Sequence, residues 1–146
     1  LQEHGQEFGA TTGRPRDCGW LDLMQLRYAC RMGGFTELCV TKLDVLSYLG
    51  HLTVCEGYLT EEGGSRVRKS DTLTAEVMAN CKPLYRKMKA WRDVDTSTWN
   101  SFSDLPQAAI DYLWLIFGNT GVPITMVGVG PEREQLITGI EMGNRY

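Results

Sequence analysis

Thr36-Glu37-Leu38-Cys39-Val40-Thr41-Lys42-Leu43-Asp44 reads as a short buried strand, Thr36 to Thr41, that ends in a charged tip. Leu38, Cys39 and Val40 supply its apolar content. In open α/β sheets ligands collect beyond the carboxyl ends of strands, so Lys42 and Asp44 stand where ligand readers belong. Upstream, Leu21, Met24, Leu26, Tyr28 and Ala29 give an apolar side near helical spacing, which predicts a helix from Trp20. Gly33-Gly34 stops it.

Downstream, a short helical turn is expected over Val45 to Leu49 and a second strand over Leu52 to Leu59. Thr60 to Ser70, polar and glycine-containing, reads as an exposed loop or hairpin end, Thr74 to Asn80 as a short helix, and Pro83 to Trp91 as an extended segment. Ser103 or Asp104 is expected to cap a helix with Pro106 in its first turn, running to about Phe117 and burying Ile110, Leu113, Trp114 and Phe117. Val122 to Val129 is a third strand, closed by Gly128-Val129-Gly130-Pro131. This alternation of helix and strand predicts an α/β fold.

Thr41-Lys42-Leu43-Asp44 at a strand end has a chemistry of its own. Guanine presents two adjacent donors, N1–H and the N2 amine, and one carboxylate accepts both. Adenine lacks that edge, so a buried carboxylate would be left unpaired against it. The Lys42 stem can lie along a base plane while its ammonium stays solvated. A glycine loop at Gly128 to Gly130 can admit a flat base close to the backbone. The same residues also read as an ordinary Lys-Asp surface pair and a strand-ending turn.

A second stretch, Gly9-Ala10-Thr11-Thr12-Gly13-Arg14-Pro15-Arg16, is suited to an anion. Gly9 and Gly13 permit close backbone approach or positive φ. Hydroxyls and amides can donate to a carboxylate, and Arg14 and Arg16 each offer a planar fork. Pro15 stiffens the turn. The competing reading is a basic surface turn whose arginines pair with nearby acids, for which Asp17 and Asp22 could serve.

The chain has 146 residues and a net charge of -3, which suits one domain or a piece of a larger one and argues against a nucleic-acid partner. No apolar run is long enough to span a bilayer, and no leader-like segment opens the sequence. Cys18, Cys30, Cys39, Cys55 and Cys81 are odd in number and lack a Cys-x-x-Cys pair, which fits free thiols in a reducing cytosol. His4 and His51 have no second ligand at metal spacing.

Glu7 to Arg16, then Cys18-Gly19-Trp20-Leu21-Asp22 and Leu26-Arg27-Tyr28, followed by Thr41-Lys42-Leu43-Asp44-Val45-Leu46 and Val127-Gly128-Val129-Gly130-Pro131, resemble adenylosuccinate synthetase in order and content. The resemblance runs from about Leu1 to Ile137 and is sparse from Tyr58 to Ser101. It implies a P-loop-hydrolase-like synthetase fold, here as part of a mostly parallel sheet flanked by helices. It also implies a cytoplasmic, homodimeric ligase of purine biosynthesis. That family couples GTP hydrolysis to joining IMP and L-aspartate, with Mg2+, through a phosphorylated IMP whose oxygen the aspartate amine displaces. By the same resemblance Ala10, Thr11, Thr12, Gly13, Arg14, Pro15 and Arg16 hold aspartate. Arg14 also contacts IMP, and Arg16 also reaches GTP. Lys42, Leu43 and Asp44 hold guanine, with Gly128, Val129 and Gly130 on its other side.

Three departures stand out. Asp17 replaces a commonly basic residue, Met88-Lys89-Ala90-Trp91 replaces a more usual Leu-Pro-Gly-Trp, and the tail Thr138 to Tyr146 matches nothing in the pattern. The glycine-rich phosphate loop, the catalytic acid and base and the magnesium ligands belong to an N-terminal portion outside this sequence. The chain is therefore expected to be a C-terminal portion with no catalytic or metal-binding residue of its own, inactive alone. The runner-up is a guanine-nucleotide-binding module without ligase activity.

Overall fold

The computed structural model describes residues 1–60, 74–140 and 142. Two small sheets and two longer helices share one core. The first sheet takes β1 (Leu21–Asp22), β3 (Leu52–Thr60) and β4 (Cys81–Met88) in the order β1-β3-β4. The second takes β2 (Leu38–Val40), β5 (Ile124–Gly128) and β6 (Leu136–Thr138) in the order β2-β5-β6. Helix α1 spans Leu23–Gly33, the short α2 Ala75–Ala79, and α3 Gln107–Thr120.

The mixed α/β class agrees with the alternation in the sequence, but the mostly parallel sheet does not appear among the described residues. Each sheet pairs one strand parallel (β1 with β3, β2 with β5) and one antiparallel (β3 with β4, β5 with β6). Connection length explains the β5–β6 pair: the short link between them, which includes the 3-10 turn Arg133–Gln135, suffices to reverse the chain, whereas a parallel neighbour needs a longer crossover. The route from β2 to β5 is long and carries α3, so it allows the parallel arrangement. Pro83 lies within β4, an edge strand, where a missing N–H breaks no inner ladder.

Helix α1 starts later than expected because Leu21–Asp22 is drawn into β1, opposite Val54 and Cys55. Asp22 then serves as its N-cap, accepting from the amides of Met24 and Gln25 at 3.0 Å each, while the Tyr58 hydroxyl donates to its second oxygen. Gly34 closes α1 in the left-handed conformation. The expected cap of α3 belongs elsewhere. Asp104 accepts from Ser101 and Asn100 and closes a preceding 3-10 turn, Phe102–Asp104, while Pro106 takes the N-cap position of α3. Nearly every side of α3 is apolar, and the face that packs inward is Ala109, Tyr112, Leu113 and Ile116, leaving Trp114 40% exposed.

Val45–Tyr48 is a 3-10 turn, and β3, α2, β4 and β5 fall within the segments expected for them apart from their ends. The loop expected over 60–70 lies almost wholly outside the described residues. Ile140 and Met142, from the tail, are buried in the common core.

Candidate functional site

Because β2 and β5 run parallel with Val40 opposite Val127, their carboxyl ends open on the same edge. The Lys42–Asp44 tip and the Gly128–Gly130 loop therefore meet. The Leu43 amide donates to the Gly128 carbonyl at 3.1 Å, and a side-chain carbon at Gly128 would sit 3.3 Å from Thr41 Cα. The Val129 amide donates to the Gln135 carbonyl at 2.8 Å, which holds this loop from the far side. Lys42 itself adopts φ +61°, a conformation that side-chain-bearing residues rarely take and that surrounding contacts must hold. One such contact comes from Trp91, whose indole N–H donates to the Leu43 carbonyl at 3.1 Å from a buried position.

Asp44 is half-buried, and its Oδ1 is buried with no hydrogen-bond partner among the described residues. An orphaned buried acceptor costs about 1–3 kcal/mol or more, so the site is poised for a donor from outside.

The stretch from Phe8 to Arg16 folds as a small hairpin. Phe8 and Pro15 form an antiparallel bridge, the Gly9 amide donates to the Arg14 carbonyl at 2.8 Å, and Gly13 turns the chain at φ +63°. A side-chain carbon at Gly9 would lie 2.9 Å from Thr12 Oγ1, so a larger residue there would push the Thr12 hydroxyl aside. Residues 10–16 are all exposed. Among the described residues Arg14 makes no ion pair, and Arg16 pairs with a nearby acid as a surface turn would, the acid being Glu7 and neither Asp17 nor Asp22.

Glu7 joins the two halves. Arg16 Nη1 donates to Glu7 Oε2 at 3.2 Å, and the Lys42 ammonium donates to the other oxygen and, at 2.7 Å, to the Gly5 carbonyl. The Lys42 ammonium is thus engaged by protein groups as well as solvent. Glu7, Arg16, Thr41, Lys42 and Val45 line one cavity of about 390 Å³, with Trp20 at its wall. Leu43, Asp44, Gly128 to Gly130 and Ala10 to Pro15 do not line it, although Lys42 and Val45, which flank the Leu43-Asp44 pair, do.

A family model described as adenylosuccinate synthetase matches residues 1–137 of this chain. The chain belongs to the adenylosuccinate synthetase family. It is 44% identical over 141 residues to the adenylosuccinate synthetase of Salinibacter ruber, covering 97% of this chain and 31% of that protein. It is 42% identical over 137 residues to that of Halothermothrix orenii, with 94% and 31% covered. A solved structure of fully ligated adenylosuccinate synthetase from Plasmodium falciparum superposes with a TM-score of 0.86 at 35% identity, over 95% of this chain and 33% of that one. The chain thus spans about a third of the length of its adenylosuccinate synthetase relatives.

Two groups that shape the site were missed as site residues in the sequence. Glu7 precedes the hairpin and has the charge that two neighbouring cations require, but its partner Lys42 is remote in sequence. Trp91 enters the sequence reading only within the Met88–Trp91 departure, yet its indole holds the Leu43 carbonyl beside Asp44.

The ties from Lys42 and Arg16 hold the Glu7 carboxyl below its ordinary range, the Lys42 hydrogen bond contributing most. The stabilisation from a depressed carboxylate is fully present above its unfolded pKa and disappears as pH falls through the lower folded value. Acid titration followed by Trp20 fluorescence is therefore expected to show the cavity loosening only below the usual carboxylate range. A transition centred at or above that range would contradict the tie.

Proposed function

We propose that this chain supplies the aspartate-binding and guanine-binding walls of an adenylosuccinate synthetase that ligates IMP and L-aspartate at the expense of GTP. Asp44 accepts N1–H and the N2 amine of guanine, Lys42 and Leu43 border the base, and Gly128, Val129 and Gly130 pass along its other side. Ala10 to Arg16 surround the aspartate carboxylates, with the Arg14 fork reaching IMP as well and Arg16 facing both aspartate and nucleotide. The purine oxygen of IMP takes the γ-phosphoryl group of GTP and GDP is released; the aspartate amine then bonds to the carbon bearing that oxygen, losing a proton, and the oxygen departs with the phosphoryl group as inorganic phosphate. The contribution of these residues is orientation and charge, not proton transfer. The observation that supports this reading most is the Glu7 bridge, which brings Arg16 and Lys42, one from each stretch, onto a single cavity.

Among the described residues no group of three or more His, Cys, Asp or Glu side chains gathers as a metal site. Magnesium enters the proposal on the resemblance alone, with its ligands in the rest of the enzyme. Cys18, Cys30, Cys39, Cys55 and Cys81 are free thiols, consistent with a cytoplasmic setting. No described helix is long and apolar enough to cross a membrane. A homodimer belongs to the proposal on the resemblance alone.

The test is a turnover assay with IMP, L-aspartate and GTP. This chain alone is expected to form no adenylosuccinate. Exchanged for the matching third of the Salinibacter ruber relative, it is expected to sustain turnover. Product from the isolated chain would refute the division of labour, and an inactive but folded exchange enzyme that still binds GTP would favour the nucleotide-binding module without ligation.

A further inference from the structure

We infer that Glu7 is a positioning residue shared by two ligand sites: one carboxylate sets Arg16 of the hairpin and Lys42 of the guanine segment against each other. The inference rests on the proposed function above.

The two oxygens are divided. Oε2 takes Arg16 and Oε1 takes Lys42, so each cation is fixed by its own acceptor. The Glu7 main chain is itself held on both sides, its amide donating to the Gln2 carbonyl and its carbonyl accepting from the Arg16 amide, both at 2.9 Å. It therefore stands at the base of the hairpin and does not drift with the tip.

The same turn is seated on the guanine segment. A side-chain carbon at Gly5 would meet Val45 Cγ1 at 3.2 Å and the Leu1 carbonyl oxygen at 2.8 Å, and the Gly5 carbonyl accepts from Lys42. Lys42 is thus gripped at two points of one turn while its backbone sits in the left-handed region. Arg16 spends one Nη on Glu7, and no other hydrogen bond from its guanidinium is present among the described residues. Ligand-binding capacity is left on Arg16.

The three side chains are between 22% and 58% exposed. Pairs this open add little to folding stability, so the carboxylate acts mainly on where its partners point. Removing its charge leaves two cations facing one another across the cavity, and both sites lose their alignment together.

The experiment uses the whole enzyme carrying this chain, with Glu7→Gln and Glu7→Asp. KM for GTP and KM for L-aspartate are expected to rise together, by about two- to fivefold in Glu7→Gln, with kcat nearly unchanged. Glu7→Asp is expected to shift both in the same direction by less, and it carries the test should Glu7→Gln not fold. In a Lys42→Met background, Glu7→Gln should raise the GTP KM by less than it does alone, the remainder passing through Arg16. A rise in only one KM, no rise in either, a loss confined to kcat, or additive effects with Lys42→Met would each overturn the inference. A variant that merely lowered the folded fraction would reduce apparent kcat and leave both KM values in place. Nucleotide choice in an Asp44→Asn enzyme separates the two levels. If that variant turns from GTP to xanthosine triphosphate while Glu7→Gln is silent, only the positioning role fails. If it does not turn, the guanine assignment beneath it fails.

Discussion

Asp44→Asn in the whole enzyme is expected to lose GTP and gain xanthosine triphosphate. The native carboxylate offers two acceptors, and guanine brings two donors to them. An asparagine keeps the shape but turns one acceptor into a donor, which then opposes the guanine N2 amine. Xanthine carries a carbonyl at that position and restores the match. The kcat/KM for GTP should fall on the order of 100-fold, since a hydrogen bond to a charged group is lost and a buried donor is left unpaired. No described group donates to Asp44 Oδ1, so the replacement breaks no internal bond at that atom. Steady-state kinetics with both nucleotides decide it. Unchanged GTP kinetics would remove Asp44 from the guanine site.

Arg14→Leu should raise the KM for L-aspartate about 10- to 100-fold, the equivalent of one charge-assisted fork. Both hairpin bonds of Arg14 are made by its backbone: its carbonyl accepts from Gly9, and its amide donates to Thr12 Oγ1 at 3.3 Å. The side chain is exposed and has no ion pair among the described residues. Truncation therefore removes a ligand contact and leaves the hairpin standing. The GTP KM should stay near its starting value, because Arg16, not Arg14, is tied towards Lys42. An aspartate KM that did not move would count against the hairpin as the aspartate holder.

The parts of the fold that could be read from sequence are those whose pattern is local. Leu38-Cys39-Val40 and the apolar run ending at Gly128 are strands because of what they contain, and their charged or glycine tips follow directly. β1 and β6 could not be read that way. Leu21–Asp22 is a strand only because Val54 and Cys55 lie beside it, and Leu136–Thr138 only because β5 turns back on itself. Helix α3 shows the opposite failure: its position was plain, but a helix apolar on most sides does not declare which side faces inward, so Trp114 was assigned to the core and Leu113 shares it with Ile116 instead. The candidate site divides along the same line. Asp44, Arg14 and Arg16 announce their chemistry by residue type and neighbours. The Glu7 bridge depends on a turn and a strand tip meeting across a long stretch of chain, which no spacing rule encodes.

Ile140 and Met142 follow the stretch that the family model covers, yet both are packed among the apolar side chains that β5 and α3 cover. Anyone trimming this polypeptide to the boundary of the family match would pull two plugs out of its interior. The shortened product would show greasy surface to water and stick to itself, and such clumping would reflect where the cut was made, not any weakness in the edge that carries Lys42 and Asp44.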